Sequence, residues 1–81
     1  MINNIIIITV KFFANLREYG PKKEVLTIPK NSTVKLLFEK YKIPKDEMRG
    51  VIIINGRPHH DQDSVLNEGD IVSIFPAIGG G

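Results

Sequence analysis

The first apolar stretch of the chain alternates strictly. Between Ile5 and Phe13, residues Ile6, Ile8, Val10 and Phe12 fall on one side and Ile5, Ile7, Thr9, Lys11 and Phe13 on the other, as in an extended strand. The second set carries the polar residues, so it is expected to face outward. A break covers Asn15 to Pro21, with Gly20-Pro21 marking a turn. Lys23 to Ile28 alternates again as a second strand, stopped by Pro29. Then the period changes: Val34, Leu37, Phe38 and Tyr41 recur at helical spacing, which predicts a helix from an N-cap at Ser32 to about Lys42, before Pro44. Lys45 to Arg49 is expected to add a short turn. Val51 to Ile54 reads as a third strand, Asn55-Gly56 as a tight hairpin turn and Arg57 to His60 as a short return strand. Asn67-Glu-Gly-Asp70 is a further turn, and Ile71 to Phe75 is a last strand closed by Pro76.

A single apolar helical stripe with no second long helix to meet it packs most simply on a sheet. The order strand, strand, helix, strand, short strand, strand therefore predicts an α+β chain with the β-grasp, or ubiquitin-like, arrangement: a mixed sheet with one main helix packed on one face. Residues 1–76 are expected to form that domain and residues 77–81 a flexible glycine-rich tail.

Composition narrows what such a domain does. The chain has 81 residues, 42% hydrophobic and 25% charged, which suits one modest core and excludes a disordered chain. Eleven basic against nine acidic residues leave a net charge of +2 with no block of one sign, which argues against nucleic acid as a partner. Cysteine is absent, so no disulfide, thiolate metal site or cysteine nucleophile is available. No basic residue precedes the apolar run Ile5–Ile8 and Lys11 interrupts it, so neither a signal nor a membrane span is expected, and a cytoplasmic location is.

Candidate chemistry is sparse. His59 and His60 are adjacent on a strand and point to opposite faces, which makes joint ligation of one metal ion improbable, so no metal site is expected. Asp61 and Asp63 lack the spacing of a calcium loop and read as turn residues. Arg17-Glu18 reads as a solvated pair or a docking contact. Gly79-Gly80-Gly81 lacks the lysine and following helix of a phosphate loop. What remains is a terminal carboxylate on a thin tail. Glycine offers backbone hydrogen bonds without side-chain bulk, so such a tail suits a narrow channel in a partner, where ATP could convert the carboxylate to a reactive mixed anhydride. The alternative is a frayed or appended end. Five extended residues after Pro76 reach roughly 17 Å at about 3.3–3.6 Å each.

Three stretches carry a family resemblance. Val10-Lys-Phe-Phe-Ala-Asn-Leu-Arg-Glu18, Asn67-Glu-Gly-Asp70 and Ile74-Phe-Pro-Ala-Ile-Gly-Gly80 resemble, in order, the signatures of MoaD, the small subunit of molybdopterin synthase, among the MoaD/ThiS ubiquitin-like sulfur carriers. The resemblance implies a non-catalytic carrier with no bound cofactor. A MoeB-like adenylating enzyme would use ATP to activate the terminal glycine, a sulfur donor would replace AMP, and the resulting thiocarboxylate would donate sulfur within a complex with a MoaE-like large subunit. The reacting residue would be Gly81, or Gly80, since the family tail ends in two glycines and this one has three. Ala77 also stands where a second proline is usual. Gly79, Gly80, Ile78 and Pro76 would form the threading tail. Phe13 and Phe75 share the outer face near that tail, either as an exposed patch or as core residues. As a patch they would dock a partner, and Arg17 matches a position near it. A ThiS-like role in thiazole synthesis is the alternative among carriers. Conjugation to lysine amines, as a ubiquitin-like modifier, starts from the same acyl-adenylate.

Overall fold

The order along the chain in the computed structural model is β1 (Ile5–Phe12), a 3₁₀ helix (Ala14–Glu18), β2 (Lys23–Pro29), α1 (Val34–Lys40), β3 (Val51–Ile54), β4 (Arg57–His60) and β5 (Ile71–Phe75). The structure describes residues 4–44 and 50–76, apart from the side chain of His59. The expected turn at Lys45–Arg49 and the tail 77–81 lie outside these residues.

The strands form one mixed sheet in the order β2-β1-β5-β3-β4. β1 runs antiparallel to β2 and parallel to β5, and β3 is antiparallel to both its neighbours. The last strand therefore lies at the centre. Alternation sets the faces as expected: Ile6, Ile8, Val10, Phe12, Leu26, Ile28, Ile52, Ile54, Val72 and Ile74 are buried on one side, where Val34, Leu37 and Phe38 of α1 join them. Leu16, Ile43 and Leu66 extend this core from the connecting segments.

The helix ends differ from the sequence reading, for identifiable reasons. Thr33, not Ser32, is the N-cap, and it makes no side-chain cap hydrogen bond. The first helical donors are met from far along the chain instead: Val34 N–H donates to the Ser64 carbonyl (3.0 Å) and Lys35 N–H to that of Gln62 (2.8 Å). Ser32 Oγ is turned back to donate to Pro29 O at 2.6 Å. The helix stops at Lys40 rather than Lys42. Lys42 takes a left-handed φ of 57°, Ile43 N–H donates to Phe38 O (2.9 Å) and Lys42 N–H to Glu39 O (3.3 Å). That pair of bonds is a Schellman motif made without its usual glycine, and it tucks Ile43 into the core.

The hairpin turn follows its sequence signal. Asn55 and Gly56 both have positive φ (54° and 80°), as a two-residue type I′ turn requires. Beyond it the β3–β4 register slips between Ile52 and Ile54, with Ile54 opposite Arg57 but Ile52 opposite His60. Pro58 lies in that slip on the edge strand, a position where its missing N–H leaves no ladder bond unmade. The segment read as a break holds the short 3₁₀ helix, pinned by fully buried Leu16.

Candidate functional site

β5 leads into the tail, and its last residues define the site. Register places Lys11 beside Ser73 and Phe12 beside Ile74 on one side of β5, and Val51 beside Phe75 and Ile53 beside Ser73 on the other. Phe13 continues β1 in extended geometry, and its N–H donates to Ile74 O at 3.2 Å. Its ring consequently stacks on Phe75, with centroids 4.2 Å apart and planes 12° from parallel. Both rings are half-buried and lie on the face opposite α1, so neither belongs to the core. With Val51 they make an apolar row across the outer face at the tail end.

Beside this row lies an open groove of about 410 Å³ lined by Ala14, Val51, Ile53, Phe75 and Pro76. None of the five is charged. Two backbone features shape it. Ala14 holds a left-handed φ of 54°, a conformation that costs a non-glycine residue about 1–2 kcal/mol. Gly50 sits against the end of β5: a Cβ there would fall 1.8 Å from the Phe75 carbonyl oxygen and 3.0 Å from the Pro76 carbonyl carbon. The absence of that side chain lets the chain leave the sheet where it does. Arg17 is exposed on the 3₁₀ helix, which packs beside β5, and it makes no ion pair with Glu18 or any other described residue.

The other end of β5 is built oppositely. Asp70 is buried, and its carboxylate accepts from Asn55 Nδ2 (2.9 Å) and from the Asn67 N–H (2.8 Å). Asn55 Oδ1 in turn accepts from Ile71 N–H at 2.8 Å, and Asn55 N–H donates to Ile71 O at 2.9 Å. Glu68 Oε1 accepts from Ile7 N–H, and Gly69 N–H donates to Ile7 O. The Asn67–Asp70 turn thus ties the start of β5 to both β1 and the β3–β4 hairpin. A polar hollow beside it is lined partly by Arg57, His60 and Asp70, but the Asp70 oxygens are already engaged.

Elsewhere, Asp61 and Asp63 serve a turn, with Asp63 N–H donating to Asp61 Oδ1 at 2.8 Å. His60 lies 3.3 Å through Nδ1 from Ser64 Oγ. Among the described residues no three His, Cys, Asp or Glu side chains are grouped to hold a metal ion. Tyr41 packs edge-on to Phe12, with centroids 4.7 Å apart, and its hydroxyl donates to Glu24 Oε1. Burial, reinforced by that carboxylate, pushes the phenol pKa well above its ordinary value. No helix among the described residues is long and apolar enough to cross a membrane.

Of the residues singled out in the sequence, Phe13, Phe75, Pro76 and Arg17 are thus brought to one end of the sheet. Ile78, Gly79, Gly80 and Gly81 lie outside the described residues. Sequence reading missed Ala14, Gly50, Val51 and Ile53. The usable signal was Gly50 directly ahead of a β-branched strand, a place where glycine often marks close backbone approach.

A mixed five-strand sheet with a helix on its inner face and a central last strand define a β-grasp protein of the ubiquitin-like class. The ThiS family model matches residues 10–81, and the chain belongs to that family. No match is found among curated proteins. Among solved structures, the chain is similar to the Haloferax volcanii HVO 2177 protein, with 26% identity, a TM-score of 0.79 and coverage of 100% of this chain and 92% of that one. It is similar to a Pyrococcus furiosus protein provisionally assigned as molybdopterin converting factor subunit 1, with 31% identity, a TM-score of 0.70 and coverage of 90% and 99%. It also resembles small archaeal modifier protein 1 from Methanosarcina acetivorans, with 25% identity, a TM-score of 0.65 and coverage of 98% and 100%.

Proposed function

We propose that this protein is a sulfur carrier whose C-terminal glycine is the working group. A MoeB-like adenylating enzyme joins the glycine carboxylate to AMP, with ATP losing pyrophosphate. A sulfur nucleophile then displaces AMP, and the resulting thiocarboxylate gives its sulfur to an acceptor. The carrier is not itself catalytic and holds no cofactor. The observation that carries this reading is the family match, which runs through the body of the fold and includes the glycine tail. For the acceptor we assign a pterin precursor held by a MoaE-like large subunit, yielding the dithiolene of a molybdenum or tungsten cofactor. The similarity to the Pyrococcus furiosus protein supports that choice.

Phe75 and Phe13 are assigned to docking because they flank the base of the tail on a face that α1 leaves uncovered, and Arg17 because it is exposed on the 3₁₀ helix that contacts β5. Similarity to an archaeal modifier favours a second reading, in which a lysine amine rather than sulfur attacks the same acyl-adenylate.

Intact-mass spectrometry after incubation with ATP, a sulfur donor and the adenylating enzyme tests the first reading. Replacement of one oxygen by sulfur is expected, whereas lysine-linked conjugates without it would select the second. The register of the tail is tested by deleting Gly81, which moves the carboxylate back by about 3.3–3.6 Å. Displacing a reacting group by 1 Å can cost about a hundredfold, so adenylation should nearly vanish if Gly81 reacts and persist if Gly80 does.

A further inference from the structure

Arg57 and His60 are three residues apart, a separation that sends side chains to opposite faces of a regular strand. The β3–β4 ladder does not let them diverge. Arg57 lies opposite Ile54 and His60 opposite Ile52, and both isoleucines are buried on the α1 side. Cross-strand partners share a face, so the one extra residue in β4 re-aims its two ends to the same side, as a β-bulge does. There Arg57 and His60 line an open hollow of about 360 Å³ with Val65, Asn67 and Asp70. The fold leaves their donors unspent. Arg57 is exposed and makes no ion pair with a described residue, although Asp70 lines the same hollow. Asp70 is held back by the bonds it accepts from Asn55 Nδ2 and the Asn67 N–H. Of Asn67 only the backbone is engaged with described residues, so its side-chain amide is free. Ser64 Oγ accepts from the Asp61 N–H, which leaves the hydroxyl proton for His60 Nδ1 at 3.3 Å and favours the imidazole tautomer with its hydrogen on Nε2. That Nε2 has no partner among the described residues.

We propose that this hollow binds a small phosphate monoester, with the phosphate on Arg57, His60 and Asn67 and the esterified carbon group on Val65. A guanidinium presents a planar fork that pairs two acceptor oxygens at once. A carboxylate is satisfied by that fork alone, whereas a phosphate has a third oxygen, and here two further donors from separate segments stand ready for it. The buried Asp70 carboxylate opposes an anion from beneath, so the phosphate is seated toward Arg57 at the rim. Val65, a large apolar residue left 52% exposed, lines the same hollow and gives the ester's carbon group a surface to cover. The site lies on the α1 side at the hairpin end of the sheet, away from the Phe13–Phe75 row, and its assignment does not rest on the carrier reading.

The test is a titration of the ¹⁵N-labelled full chain with phenyl phosphate, inorganic phosphate and acetate at constant ionic strength, read from the backbone amide signals. Phenyl phosphate should move the signals of Asn55, Arg57, His60 and Asn67 saturably, with a Kd on the order of 1 mM, which two or three charge-assisted hydrogen bonds can supply. Inorganic phosphate, lacking the ring, should bind a few-fold more weakly and acetate about tenfold more weakly. Arg57→Gln should weaken phenyl phosphate about tenfold. Arg57→Lys, which keeps the charge but not the fork, should fall between that variant and wild type. Lys11→Gln, which removes a cation from the opposite face, should leave binding unchanged, and the rest of each spectrum reports whether the variant is folded. Equal affinity in wild type and a folded Arg57→Gln overturns the proposal, as does the lack of any saturable shift, or shifts that follow the lysines rather than the hollow. Acetate binding as tightly as phenyl phosphate overturns the phosphate assignment, and inorganic phosphate binding as tightly overturns the ester.

Discussion

The two ends of β5 solve opposite problems. At its start, Asp70 and Ile71 are held by side-chain and backbone bonds that reach Asn55, Asn67 and Thr9, and the Asp70 side chain is sealed from solvent. At its finish, Phe75 pairs with Val51 in the sheet, and among the described residues no side-chain hydrogen bond adds to that pairing, the Phe13 ring stack and the close approach of Gly50; Phe75 and Pro76 border an open groove. A buried carboxylate that accepts two hydrogen bonds fixes one geometry, because every alternative leaves a donor unmet. An apolar row left half-covered fixes much less and keeps contact area for another molecule. One end of the same strand is thus closed by hydrogen bonds, and the other is left open beside an apolar groove, the end assigned to docking in the proposal above.

The contrast is broken most severely at the closed end. Asp70→Ala strands the Asn55 amide and the Asn67 N–H, and should cost about 2–3 kcal/mol in urea unfolding while leaving partner affinity nearly intact. A loss below about 0.5 kcal/mol would mean that water replaces the carboxylate freely. Phe75→Ala attacks the open end and should reverse the pattern, costing about 2 kcal/mol in affinity for the adenylating enzyme with a smaller loss in stability. A large drop in melting temperature with unchanged affinity would return Phe75 to the fold.

Smaller changes show whether the difference belongs to the outer face alone. Tyr41→Phe acts on the helix side and should cost about 1 kcal/mol with no effect on docking. Its pH dependence has a fixed sign. A phenol whose pKa is raised by folding contributes fully below its unfolded value of about 10, and that contribution is lost as pH rises further. The gap between wild type and variant should therefore be flat near neutrality and close in alkali, so a gap that widens there would contradict the burial of the hydroxyl. The smallest effect is a gain. Lys42→Gly relieves a left-handed lysine but adds freedom to the unfolded chain, for a net stabilisation of about 0.5 kcal/mol in a thermal melt.

Local patterns made most of the fold legible. Alternation in Ile5–Phe12 and helical spacing from Val34 to Tyr41 depend only on which side of an element is buried, and both survive in the structure. Ser32 misled because the helix start is satisfied by carbonyls about thirty residues downstream, which no local rule for caps sees. At the site, Phe13 and Phe75 could be assigned to one face from alternation, but their contact required the parallel β1–β5 register. Ala14 was invisible as a site residue because its importance lies in backbone shape, Gly50 left only its position ahead of a β-branched strand as a signal, and the placing of Arg57 and His60 on one face depends on strand pairing.

Within the sheet, β5 alone joins the β1–β2 pair to the β3–β4 pair. Each of those pairs is local in sequence and can form by closing a short loop, whereas the β1–β5 pairing brings together residues about sixty positions apart. Folding kinetics should accordingly be limited by insertion of β5, with conservative substitutions at Val72 or Ile74 slowing folding more than those in the outer hairpins. Until that step is complete Phe13 has no Phe75 to stack on and the groove has no floor. A half-folded chain therefore lacks this surface altogether, and under the carrier reading proposed above the order of folding would itself decide which molecules could be loaded.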